Sequence, residues 1–234
     1  MTSEGTDVHS IFTTLNISEA RLQEIDSRLF DDVLGFYNLA PTTKALSDEE
    51  RLRRRLNHIN YSERIGEGCD IQFLNHLTEN NVDISNGIID ILPLRGAVSL
   101  VPGIETNSTN HLYLLNKRLK TPYNTELIGV KRNGQEANIY YPEVERLQFE
   151  PNKIYRIKDF GIATGGTTAE LARLLIFRGV RPENIFVQGA VGTDMARNTI
   201  MAAMHLTAMS HFGAEYVSKT VADFTNNILF AVKG

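Results

Sequence analysis

Residues Ile154 to Thr168 run from a short apolar strand through an acid, Asp159, into a loop of glycine and threonine. Few folds accept that order. Ile154, Ile157 and Ile162 have the character of a strand set in a core, while Gly165 and Gly166 let the backbone bring its N–H groups close to an anion. Thr164, Thr167 and Thr168 add hydroxyl groups. Beyond the loop, Leu171, Ala172, Leu174 and Leu175 recur at helical spacing between Ala169 and Gly179, so the loop opens on the positive end of a helix. The local pattern therefore predicts a cradle for a sugar phosphate. Its plain rival is an ordinary glycine-rich strand-to-helix turn.

The rest of the chain sets the frame. Ile88 to Leu92 is short, β-branched and bounded by Asn86-Gly87 and Pro93, as a buried parallel strand requires. Similar runs occur at His111 to Leu115, Leu127 to Val130, Ile154 to Ile157, Ile185 to Val187 and Ala214 to Val217. Helical patterns alternate with several of them, which predicts an α/β domain with its ligand site beyond the carboxyl ends of parallel strands. Pro93 to Gly96 and Asp159 to Thr168 both fall at such ends. Upstream, Ser18 and Ser47 are expected helix caps, the second followed by three acids in the first turn. A further helix is expected from Arg64 to Asn80. One domain is expected over residues 1–234, with a mainly helical extension over 1–86 and an α/β core over 87–234.

Three segments also carry a family resemblance. Asp159 followed by Ala163-Thr164-Gly165-Gly166-Thr167 resembles the phosphoribosyl diphosphate (PRPP) signature of type I phosphoribosyltransferases. Most of that family doubles the acid, whereas Phe160 stands second here, as a non-acidic residue does in the uracil phosphoribosyltransferase branch. Leu92 to Ala97 resembles that branch's diphosphate loop, with Arg95 and Gly96 as its binding residues. Ile128 to Asn133 with Tyr140-Tyr141 resembles its flexible hairpin, with Lys131 and Arg132 in the diphosphate-binding places. The likeness spans about Ile88 to Asp223. It stops before the glycine- and aspartate-rich segment that reads uracil, in place of which this chain runs from Asp223 to Gly234.

The resemblance implies a parallel-sheet, Rossmann-like core with helices on both faces, and a transferase that moves ribose 5-phosphate from PRPP to a uracil-like base or another small nucleophile. It implies Mg²⁺ as cofactor, with Asp159 facing the ribose hydroxyls directly or through the metal's water. It assigns PRPP to Arg95, Gly96, Lys131, Arg132, Asp159 and the loop residues Ala163, Thr164, Gly165, Gly166, Thr167 and Thr168. Arg95, Arg132 and Asp159 take the catalytic roles, stabilising the departing diphosphate and placing the sugar. The segment after the Ile185 strand gives Gly192, Asp194 and Arg197 as acceptor-side candidates, and Asp223 matches a further family aspartate. Relatives also imply a homodimer or larger assembly. The alternative is a non-catalytic PRPP- or nucleotide-binding regulatory protein.

Charge and composition narrow the classes. A net charge of −4 with acids and bases intermixed leaves no broad footprint for nucleic acid or a membrane surface, so any anion is bound locally. The single cysteine, Cys69, forms no internal disulfide, and no apolar leader is evident, which together predict a reducing, cytoplasmic setting. No stretch reaches the roughly 18 apolar residues of a membrane span. The histidines lack zinc-ligand spacing. Arg51 to Arg55 read as the solvated face of a helix, and Arg95 has a structural ion pair as its plain alternative.

Overall fold

The computed structural model describes residues 17–39, 46–94, 121–133, 136–142 and 144–233, and these fall into two compact units. The first holds helices α1 (Glu19–Asn38) and α2 (Asp48–Glu79). Both begin at the expected caps: Ser18 Oγ accepts from the Arg21 N–H and Ser47 Oγ from the Glu50 N–H, each at 3.2 Å, filling donors that the first turn leaves open. The helices expected separately at Ser47 and Arg64 are one, because neither proline nor glycine lies between Arg55 and Arg64. Small residues let the pair close up, with Tyr61 lying over Gly35 and Leu29 over Gly68. Arg21 and Arg28 of α1 both pair with Glu67 of α2, and Arg64 reaches back to Asp32 at 2.8 Å. Burial pushes the Asp32 carboxyl above the usual range, against the pull of Arg64 and Arg28.

The second unit is an α/β sandwich built on six strands: β1 (Ile88–Leu94), β2 (Tyr123–Asn133), β3 (Glu136–Tyr141), β4 (Ile154–Ile162), β5 (Ile185–Gly192) and β6 (Ile228–Lys233). Their order is β3-β2-β1-β4-β5-β6, parallel throughout except for the β2–β3 hairpin. Three helices flank them: α3 (Gly166–Phe177), α4 (Asp194–Phe212) and α5 (Ala214–Thr225). Ile89, Ile91, Tyr155, Ile157 and Val187 turn one face of the sheet into a core with Leu171, Leu175, Ile200 and Met204.

Ala214 to Val217, expected as a strand, is instead the first turn of α5. The run fits either period over four residues; over twelve, Val217 and Phe224 are buried on one side while Glu215 pairs with Lys219 one turn on at 2.8 Å. The last strand is Ile228–Lys233, an apolar edge not anticipated from the sequence. Pro93 does not end β1. Among the described residues, β1 past Ile91 pairs only with β2, and a strand with one neighbour tolerates a residue that cannot donate. The run His111 to Leu115 lies outside the described residues.

The opposite parity of the central strands is charged yet buried. Asp90 and Arg156 are register partners on β1 and β4, 1% and 0% exposed. Arg156 donates Nε to Oδ1 at 2.7 Å and Nη2 to Oδ2 at 2.5 Å. The hydroxyl of Tyr123, on β2, donates to Asp90 Oδ2 at 3.2 Å. Removing one member of such a pair leaves a buried charge uncompensated. Asp90→Ala is expected to cost about 3–5 kcal/mol in urea denaturation, and Asp90→Leu combined with Arg156→Met to recover most of that loss.

Candidate functional site

Among the described residues the sheet has one topological switch point. From β1 the chain moves outward to β2 on one side, and from β4 outward to β5 on the other. The β1–β4 ladder ends at Ile91 and Ile157, so the two strands cease to pair before their carboxyl ends, where open α/β sheets take their ligands. β4 delivers Asp159, half-buried and in register with Gly189, to that end. β1 delivers the chain to Arg95 and Gly96, which lie outside the described residues.

The loop at the end of β4 is built around Gly165, at φ +76. A side chain there would also stand 2.7 Å from the carbonyl oxygen of Ala196, so position 165 is restricted to glycine twice over. Gly165 is the N-cap of α3 and supplies no side chain to the helix, unlike Ser18, Ser47 and Thr193 at α1, α2 and α4. The first amides of α3 are thus left to whatever sits in front of them. Thr167 and Thr168 follow in the first turn, 2% and 0% exposed, and their hydroxyls have no hydrogen-bond partner among the described residues. A buried hydroxyl left unpaired costs about 1–3 kcal/mol.

Two contacts hold this loop in place. Arg132, on β2, donates Nη2 to Thr164 Oγ1 at 3.0 Å, bringing the hairpin cation to the loop. Thr193 donates its hydroxyl to the carbonyl of Ala163 at 2.6 Å while accepting from the Ala196 N–H at 3.1 Å. Thr193 therefore caps α4 and staples the loop with one oxygen. Sequence reading stopped at its neighbours Gly192 and Asp194, although a threonine followed by an acid is itself a helix-start signal. Lys131 is exposed and, as the strand neighbour of Arg132, belongs to the other side of the hairpin. Tyr140 and Tyr141 pack against Gly129 at the hairpin base.

Two of the acceptor-side candidates, Gly192 and Arg197, meet at Phe230. Its ring lies against Gly192, where any added side chain would collide with it, and tightly beside Gly189, and the Arg197 guanidinium sits over it at 5.3 Å. Asp194 is exposed on the first turn of α4, whereas Asp223 belongs to α5. Phe230 escaped notice because β6 did. Among the described residues no three His, Cys, Asp or Glu side chains converge as a metal-ligand group, and no helix is long and apolar enough to cross a membrane.

No protein-family model matches the chain, and no curated protein matches it. Among solved structures it is similar to the APRTase from Giardia lamblia complexed with 9-deazaadenine, at 13% identity over 83% of this chain and 90% of that one, with a TM-score of 0.36. It is also similar to adenine phosphoribosyltransferase from Trypanosoma brucei in complex with AMP, pyrophosphate and ribose-5-phosphate, at 14% identity over 75% and 66% of the chains and a TM-score of 0.36. The adenine phosphoribosyltransferase from Thermoanaerobacter pseudethanolicus gives 14% identity over 83% and 91%, with a TM-score of 0.32.

Replacing Gly165 tests the loop directly. Gly165→Ala is expected to destabilise the protein by about 1–3 kcal/mol in urea denaturation, from the positive φ and the contact with Ala196 together. Thr193→Val, which keeps the shape and loses the hydroxyl, is expected to cost about 1–2 kcal/mol.

Proposed function

We propose that the protein is a phosphoribosyltransferase that binds PRPP at the end of β4 and transfers its ribose 5-phosphate to a nucleobase or similar small nucleophile. One observation carries this reading: α3 begins without a side-chain cap, and two buried threonine hydroxyls in its first turn lack partners among the described residues. That arrangement suits the three oxygens of a phosphate monoester better than a neutral ligand.

In this reading the amides of Gly166, Thr167 and Thr168 and the hydroxyls of Thr164, Thr167 and Thr168 hold the 5-phosphate. Asp159 stands at the mouth of the same strand to meet the ribose hydroxyls. Arg132, already at the loop edge, and Arg95 receive the diphosphate. Displacement breaks the bond from C1 to the diphosphate oxygen and forms one from C1 to the acceptor, through a sugar with cationic character. Positive side chains at the leaving group and a fixed phosphate anchor suit such a reaction, which asks for orientation and charge rather than a covalent partner. Closure of the Lys131 to Tyr141 hairpin would exclude water, the competing acceptor.

Mg²⁺ fits this donor set. It takes one or two carboxylates and completes its shell with substrate oxygens and water, so the single carboxylate of Asp159 at the strand end is sufficient. When bound, it would add positive charge beside the departing diphosphate. Acceptor choice falls to the region of Gly192, Asp194, Arg197 and Phe230. Uracil is the first acceptor to test and adenine the second.

The test is calorimetric titration of PRPP with and without Mg²⁺, coupled to a diphosphate assay over an acceptor panel. Asp159→Asn and Arg132→Ala are expected to lower diphosphate release at least about 100-fold. Thr167→Val with Thr168→Val is expected to weaken PRPP binding about tenfold or more. Absence of PRPP binding by the wild type, or wild-type rates in both charge variants, would overturn the proposal.

A further inference from the structure

Helix α1 is apolar on two sides, and a surface helix needs only one. Ile25, Leu29 and Val33 are buried, at the spacing of a single packed stripe. Phe30, Leu34 and Tyr37 make a second stripe, at positions i, i+4 and i+7, and they are 54%, 46% and 48% exposed. Exposed apolar side chains scattered singly are ordinary, whereas three large ones in line, two of them aromatic, are not. Together they form a patch of a few hundred Å², a size that in soluble proteins marks an interaction site. Aromatic rings are the anchors such sites use most.

The charge around the stripe selects the partner. Between Glu19 and Asn38 the helix holds five acids and two bases. Both bases are committed: Arg21 and Arg28 each pair with Glu67 of α2 and with Glu24. Asp26 stands one turn before Phe30 and Asp31 one turn before Leu34. Both are exposed, and neither has an ion pair among the described residues. We infer that this face of α1 docks a lysine- and arginine-rich amphipathic helix of another protein, its apolar residues against Phe30, Leu34 and Tyr37 and its cations beside Asp26 and Asp31. A stripe at i, i+4 and i+7 is a ridge that a second helix can pack along, and the carboxylates beside it steer and orient a cationic partner. Nucleic acid and anionic lipid carry negative charge that Asp26 and Asp31 would repel.

The stripe is presented on a fixed support. Leu29 lies over Gly68 and Tyr61 over Gly35, so α1 and α2 close up, and Arg64 reaches Asp32 across the pair at 2.8 Å. A partner therefore does not have to order the helix it meets, which removes one cost of association. Glu67 also matters to the electrostatics. By holding Arg21 and Arg28 it keeps their charge from neutralising the open acids. This inference goes beyond the transferase reading and does not depend on it.

The probe is a synthetic peptide of about 18 residues with leucine and lysine at amphipathic helical spacing, followed by fluorescence anisotropy as the full chain is added. Its control carries glutamate in place of every lysine. The cationic peptide is expected to bind in the micromolar range, more weakly as salt rises, and the acidic one at least about tenfold less tightly. Phe30→Ala with Tyr37→Ala, at unchanged circular dichroism, is expected to weaken binding at least about tenfold. Asp26→Asn with Asp31→Asn is expected to weaken it about threefold or more and to flatten its salt dependence. No binding of the cationic peptide, equal binding of the two peptides, or wild-type affinity in either double variant would overturn the inference. Binding of anionic phospholipid vesicles through Phe30 and Tyr37, or a self-association that their replacement abolishes, would overturn it equally, since each gives the face to a different occupant.

Discussion

The buried pair between Asp90 and Arg156 fixes the centre of the second unit. Asp90 lies in a strand whose other side chains are all apolar, and Arg156 in one that also carries the buried Lys158 and the half-buried Asp159; neither member of the pair could be desolvated alone. Only one register of β1 against β4 lets the guanidinium meet the carboxylate in two hydrogen bonds. A slip of one residue would turn Arg156 onto the face where Ile157 now packs. Tyr123 extends the constraint to β2. Three adjacent strands are thereby held in a single alignment, and the ends from which Leu94 and Asp159 emerge, about 10 Å further along, inherit it.

From those ends outward, rigidity is supplied by small residues and single hydrogen bonds. Gly189 and Gly192 make room for Phe230 against β5, and Arg197 covers the ring from α4. Thr193 ties Ala163 to the start of the same helix. The loop is thus anchored on the strand that leads into it, on the hairpin through Arg132, and on α4. Among the described residues, the hydroxyls of Thr167 and Thr168 have no partner and no side chain caps the first amides of α3.

Much of this was legible in the order of residues. The β-branched runs at Ile88, Leu127, Ile154 and Ile185 announce parallel strands, and Ser18 and Ser47 announce their helices, because strand period and cap chemistry are local properties. The glycine and threonine loop after Asp159 is local too. The Asp90–Arg156 pair was not legible. Charged residues in a strand read as its exposed side, and nothing near either position names a partner 66 residues away. Thr193 was missed for the same reason, since its partner lies 30 residues back. Ala214 to Val217 misled because four residues cannot separate a period of two from one of 3.6, and an error there concealed the strand at Ile228.

The contact between Gly165 and Ala196 sets a limit on how α4 can vary. Removing or inserting one residue between Thr193 and Ala196 would turn the rest of the helix by about 100° and slide it about 1.5 Å. A longer side chain would then face the loop, and the register of the whole helix would shift with it. Changes of length are therefore expected to be tolerated beyond the helix, around Gly213, rather than at its start. The first turn of α4 acts as a phase marker: its rotation is read at Gly165, and every later position on the helix takes its facing from that one contact.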